Sequence, residues 1–174
     1  MRYRLALRMF ERYTENARRV IFFARYEASQ YGSPYIETEH LLLGLLREDR
    51  GREDRALANL LAKEHIVEPE IRAEIERRIT RRERLSTSGN LSDECKRILQ
   101  FASDAAEKLG HRWVVTGHLL LGILRLDSSL AAQVLISLGL KPDQMQEQIA
   151  KALSAGYKFG PSGISVGHRD SGNS

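Results

Sequence analysis

The feature that most constrains this chain is an internal duplication: Thr14 to Arg47 can be laid on Ser92 to Arg125 with a constant shift of 78 positions and no gap. Ala24, Ala28, Gly32, Thr38, His40, Leu41, Leu42, Leu43, Gly44, Leu46 and Arg47 return as Ala102, Ala106, Gly110, Thr116, His118, Leu119, Leu120, Leu121, Gly122, Leu124 and Arg125. Past the arginines the shift becomes 74, pairing Leu61 with Leu135, Ile66 with Leu140, Ile71 with Met145 and Ile75 with Ile149. The difference falls in the polar stretch Arg47 to Arg55, which reads as a loop insertion and as exposed surface for partners. Self-similarity of this kind marks a repeated structural unit.

Each copy reads as helix throughout. Thr14 and Ser92 are good N-cap residues, followed by apolar positions at helical spacing: Ala17, Val20, Ile21 and Ala24 in one copy, Cys95, Ile98, Leu99 and Ala102 in the other. Gly32 and Gly110 stand where a helix should stop. Thr38 and Thr116 are expected to cap a second helix, apolar nearly all round as the middle of a bundle requires. Gly44 and Gly122 sit inside it at a cost of about 1 kcal/mol each, which close helix packing would explain. A third helix is expected over 54–63 and 129–138, and Pro69 and Pro142 mark the first turn of a fourth. The fold class is therefore all-α, two tandem pseudo-symmetric four-helix repeats with about eight helices. The expected division is an N-terminal extension (1–9), repeat one (10–80), a polar connector (81–90), repeat two (91–155) and a disordered Gly/Ser tail (156–174).

The chain has 174 residues, 42% hydrophobic and 29% charged, enough to bury roughly 70% of its unfolded surface in a core. No apolar run approaches the roughly 20 residues that span a bilayer, and the first nine residues lack a signal-peptide pattern, so a non-membrane, cytoplasmic protein is expected. The single cysteine, Cys95, permits no internal disulfide, and no spaced Cys/His set for metal is present, so neither metal nor cofactor is expected. Cys95 reads as a small buried helix residue. His40 and His118 recur, but each lacks a second ligand at helical spacing and reads as a structural residue at a helix start.

The repeated Thr-x-His-Leu-Leu-Leu-Gly-Leu/Ile-Leu-Arg signature, preceded by Phe10-Glu-Arg-Tyr-Thr-Glu-Asn-Ala-Arg-Arg-Val, resembles the Clp N-terminal repeat that opens ClpA, ClpB and ClpC chaperones. The likeness runs from Phe10 to Leu153 and, through Thr38-Glu39-His40, is greatest to ClpC. It implies a protein-binding domain that docks substrate proteins or adaptor proteins ahead of an ATPase ring, with Clp chaperone or protease components as partners. No G-x-x-x-x-G-K-[ST] loop and no nucleophile motif occurs, so the chain is read as a non-enzyme. The Gly/Ser tail fits an interdomain linker or a natural end equally.

Some ClpC N-domains recognise phosphoarginine through the glutamate of each Thr-Glu-His motif. The resemblance carries that role to Glu39, with Thr38 beside it and Thr14 as a further contributor; the second copy has Gly117 instead. A carboxylate can accept paired N–H bonds from a guanidinium group while helix N-termini receive a phosphate. Any such pocket is therefore expected in the first copy only. The plainer reading is that Glu39 merely complements the helix dipole. Two other functions compete: an accessory subunit docking on the Clp protease core, and a nucleic-acid binder using Arg72, Arg77, Arg78, Arg81, Arg82 and Arg84. The net charge of +4 permits the latter, but no aromatic residue lies in that stretch to stack on bases, so nucleic acid is disfavoured.

Overall fold

The computed structural model describes residues 9–80, 83 and 89–156. Among them are eight helices and no strand: α1 (Glu15–Gln30), α2 (Thr38–Arg50), α3 (Ala56–Lys63), α4 (Glu68–Arg78), α5 (Asp93–Lys108), α6 (Thr116–Arg125), α7 (Leu130–Ser137) and α8 (Pro142–Ser154). The all-α, twice-four arrangement follows the duplication. The tail expected to be disordered and most of the connector, with Arg81, Arg82 and Arg84, lie outside the described residues.

Local chemistry sets the helix ends. The hydroxyl of Thr14 accepts the N–H of Ala17, and that of Ser92 the N–H of Cys95, so both first helices start where an oxygen can satisfy an orphan donor. Both repeats turn out of those helices through glycine, Gly32 at φ +66° and Gly110 at φ +70°, a region costly for residues with a Cβ. The second helices begin one residue earlier than a threonine cap would place them. Glu37 and Val115 hold the N-cap position, and the side chains of His40 and His118 reach back to accept their N–H at 2.9 Å. Thr38 and Thr116 are thus the first helical residues. The third helices are also shorter than expected: Ser129 is the cap of α7, its hydroxyl accepting the N–H of Ala132 at 3.2 Å.

Packing explains the glycines inside α2 and α6. A Cβ on Gly44 would lie 2.6 Å from the carbonyl oxygen of Val20, and one on Gly122 would lie 2.4 Å from that of Ile98. Only hydrogen fits where α2 crosses α1 and α6 crosses α5. The leucine runs of these helices, Leu41, Leu42, Leu43, Leu45 and Leu46 in one and Leu119, Leu120, Ile123 and Leu124 in the other, are buried in one core with Val20, Ile71, Ile75, Ile98, Leu135 and Ile149. Each such side chain contributes about 1.5–3 kcal/mol of transfer free energy. Cys95 is fully buried and burial pushes its thiol up to about 12, in keeping with a packing role.

The repeats are joined crosswise. Ile36 donates its N–H to Asn90 at 2.8 Å and accepts that of Ser92 at 3.0 Å. In the pseudo-equivalent place Val114 donates to Arg12 at 2.8 Å and accepts from Thr14 at 3.1 Å. The lead into the first helix of each repeat therefore lies beside the lead into the second helix of the other.

Candidate functional site at the junctions between repeats

This crossing creates two pseudo-equivalent junctions, and it divides the expected site residues between them. Thr38 and Glu39 stand together at the start of α2, beside Ser92, Glu94 and Cys95 at the start of α5. Thr14 lies at the other junction, bonded to Val114. Gly117, which the sequence pairs with Glu39, is thus on the Thr14 side, in the first turn of the helix that follows Val114, while Glu39 faces the N-terminus of the second repeat.

Glu39 is only 7% exposed. Burial pushes its carboxyl up to about 7, and Glu37 and Glu94 nearby push the same way, against the Glu39 backbone N–H and the Thr38 hydroxyl. Thr38 has a second duty: its hydroxyl oxygen accepts the N–H of Ala131, in the first turn of α7, at 3.2 Å.

The second junction is not devoid of acid. A small cavity of about 10 Å³ is lined by Thr116, Gly117, Leu120, Leu45, Leu57, Glu48 and Asp49. Glu48, 3% exposed, accepts a hydrogen bond of 2.7 Å from the side-chain amide of Asn16, itself 8% exposed. Burial raises the Glu48 carboxyl too. Both acids belong to α2: Glu39 at its start, where the second repeat has Gly117, and Glu48 near its end, where the second repeat has Leu126. Reading Arg47 to Arg55 as exposed loop concealed this, because α2 continues through Arg50 and Asp49 is also buried, its two oxygens accepting the N–H groups of Leu57 and Ala58 at 2.9 and 3.0 Å. An acid in the last turn of a helix is against the dipole and gives no periodic signal of burial.

The recurring histidines are structural. Burial lowers His40 to about 4 and His118 to about 3, the latter also opposed by His111 and Arg12, so both rings stay neutral and accept their helix-start N–H. The Nε2 of His118 lies 2.9 Å from Nδ1 of His111. Among the described residues no group of three or more His, Cys, Asp or Glu could hold a metal. The described arginines of the basic stretch are bound internally: Arg72 to Glu27 at 3.1 Å, Arg78 to Glu74 at 2.7 Å, and Arg77 also to Glu74. No single described helix is long and apolar enough to cross a membrane.

A doubled four-helix unit, crossed at its helix starts, defines the class as a two-repeat all-α module. The chain matches the Clp repeat (R) N-terminal domain over residues 12–138 and again over 90–169, and it belongs to that family. It is 37% identical over 147 residues to the negative regulator of genetic competence ClpC/MecB of Bacillus subtilis, covering 84% of this chain and 18% of the relative. It is 36% identical over 166 residues to the chloroplastic chaperone protein ClpC2 of Oryza sativa, covering 95% of this chain and 17% of that one. The chain thus spans less than a fifth of the length of these relatives. The crystal structure of the N-terminal domain of the Arabidopsis thaliana chaperone ClpD superposes with a TM-score of 0.67 at 27% identity, over 83% of this chain and 99% of that one.

Proposed function

We propose that this chain is a docking domain that binds substrate or adaptor proteins for a Clp ATP-dependent chaperone or protease in the cytoplasm, itself without catalysis, and that the Thr38–Glu39 junction takes a phosphoarginine side chain. One observation carries the finer reading: Glu39 is a buried carboxylate at the crossing of the repeats, at the N-termini of α2 and α5. A guanidinium group would bond the carboxylate, and helix-start N–H groups would receive the phosphate. Membership of the Clp repeat family supports the coarser reading. The second junction has its carboxylate occupied by Asn16 and about 10 Å³ of space, which supports a single ligand site per chain.

Calorimetric titration of phosphoarginine, with arginine and inorganic phosphate as controls, tests this. Binding of one equivalent is expected, stronger at pH 8 than at pH 6 because Glu39 must ionise, and lost in Glu39→Ala. No binding to the natural chain, or equal binding to the variant, overturns it. Co-purification with the ring chaperone, as opposed to the peptidase alone, separates substrate docking from an accessory role on the protease core.

A further inference from the structure

A groove of about 680 Å³ runs between α5, α6 and α8, lined by Phe101, Ala105, Leu109, Leu121 and Arg125 with Gln146 on its wall. Its meaning comes from the pseudo-equivalent place in repeat one, which the chain fills by itself. There Glu27 is 2% exposed and paired with Arg47 at 3.6 Å and Arg72 at 3.1 Å. The Tyr31 hydroxyl donates to Glu76 at 2.9 Å and accepts from Arg72 at 3.2 Å, closing the space. Leu43 beneath is fully buried.

Repeat two keeps the cation and loses what it binds. Arg47 recurs as Arg125, stacked on Phe101 at 4.5 Å as Arg47 lies over Phe23 at 5.7 Å. Glu27, however, becomes Ala105, Tyr31 becomes Leu109, Arg72 becomes Gln146 and Glu76 becomes Ala150. Arg125 is exposed, and no carboxylate among the described residues lies within 4.0 Å of it or of Lys108 on the same rim. Leu109 and Leu121, unlike Tyr31 and Leu43, are left half-open. The rim acids are engaged elsewhere, Glu147 with Lys151 at 2.8 Å and Asp104 with Gln100 at 3.0 Å.

We infer that this groove is a docking site for a segment of a partner protein that presents a carboxylate beside an aromatic or aliphatic side chain. The carboxylate takes the place that Glu27 holds in repeat one, against Arg125, and the apolar side chain covers Leu109 and Leu121 as Tyr31 covers its own repeat. Charge complementarity and the chain's own filled copy argue for this occupant. The site uses none of the residues at the Thr38–Glu39 junction and stands or falls apart from it.

The test is a ¹⁵N-resolved NMR titration of the whole chain with the capped peptide Ac-Ala-Glu-Tyr-Leu-Ala-NH₂ and its Glu→Gln counterpart. Shifts confined to Phe101, Ala105, Lys108, Leu109, Leu121 and Arg125 are expected, with affinity about tenfold weaker for the glutamine peptide, the loss of one charge-assisted contact. Arg125→Ala, a change at an exposed position, should weaken binding by a like factor. Ala105→Glu should abolish it by supplying the carboxylate from within. Absence of shifts, shifts centred on other helices, or equal affinity for both peptides and for Arg125→Ala would each overturn the inference; the equal-affinity result would show a merely apolar groove.

Discussion

The hydroxyl of Thr38 in the first repeat accepts the backbone N–H of Ala131 in the second, at 3.2 Å. It completes the start of α7, where Ser129 takes the N–H of Ala132. In repeat one the corresponding donors, on Leu57 and Ala58, both go to the single carboxylate of Asp49. Thr38→Val keeps the shape and removes the acceptor, leaving Ala131 N–H buried without a partner. A loss of about 1–2 kcal/mol in urea unfolding is expected, and an unchanged midpoint would contradict a role for this bond in joining the repeats.

Gly44→Ala and Gly122→Ala should each be destabilising although alanine favours helices. The intrinsic gain is about 1 kcal/mol, but the new methyl meets backbone, not a yielding side chain, at 2.6 Å and 2.4 Å. Forcing the helices apart costs about 1–3 kcal/mol or more. Thermal unfolding of the two variants checks the sign; higher melting temperatures would refute the close crossing.

Glu27→Ala should turn the filled face of repeat one into a counterpart of the open groove. It strands Arg47 and Arg72 at a site where the carboxylate is buried, and removing one partner of a buried ion pair costs about 3–5 kcal/mol. Because both arginines are about a third exposed, the lower end is expected. Glu27→Ala combined with Arg72→Gln should recover part of the loss, measured as a double-mutant cycle in denaturant.

Stability should depend on pH through opposed groups. Glu39 has a folded pKa of about 7, above its unfolded value, so its burial costs nothing below about pH 4.5 and weakens the fold as pH rises from there to about 7. His40 and His118, at about 4 and about 3 when folded, act the other way: their contribution is complete above about pH 6.5 and is lost as pH falls below it. Between pH 5 and 6 the two histidines outweigh Glu39, and Glu48, also raised by burial, offsets part of what remains, so acidification lowers stability less than the histidines alone would. Glu39→Gln should be more stable at pH 8, by up to about 3 kcal/mol, and should lose stability more steeply between pH 6 and 5. Identical pH profiles for the two chains would place Glu39 in water rather than in the junction.

Caps and helical spacing, repeated at a fixed shift, determined the all-α class, the two four-helix repeats, the glycine stops at Gly32 and Gly110 and the close packing at Gly44 and Gly122, because each rests on local spacing or on steric needs. His40 and His118 were legible as structural for the same reason. Glu39 and Thr38 could be named from their motif, but not their surroundings. Which residues meet across the repeats was decided only by the tertiary structure: Thr14 goes with Val114, Glu39 with Glu94, Glu48 with Asn16, and Thr38 with Ala131. Those contacts join positions far apart in the chain and obey no period. Whether a given face is filled, as by Glu27 and Tyr31, or left open, as over Ala105 and Leu109, depends on side-chain volume and charge from three helices at once.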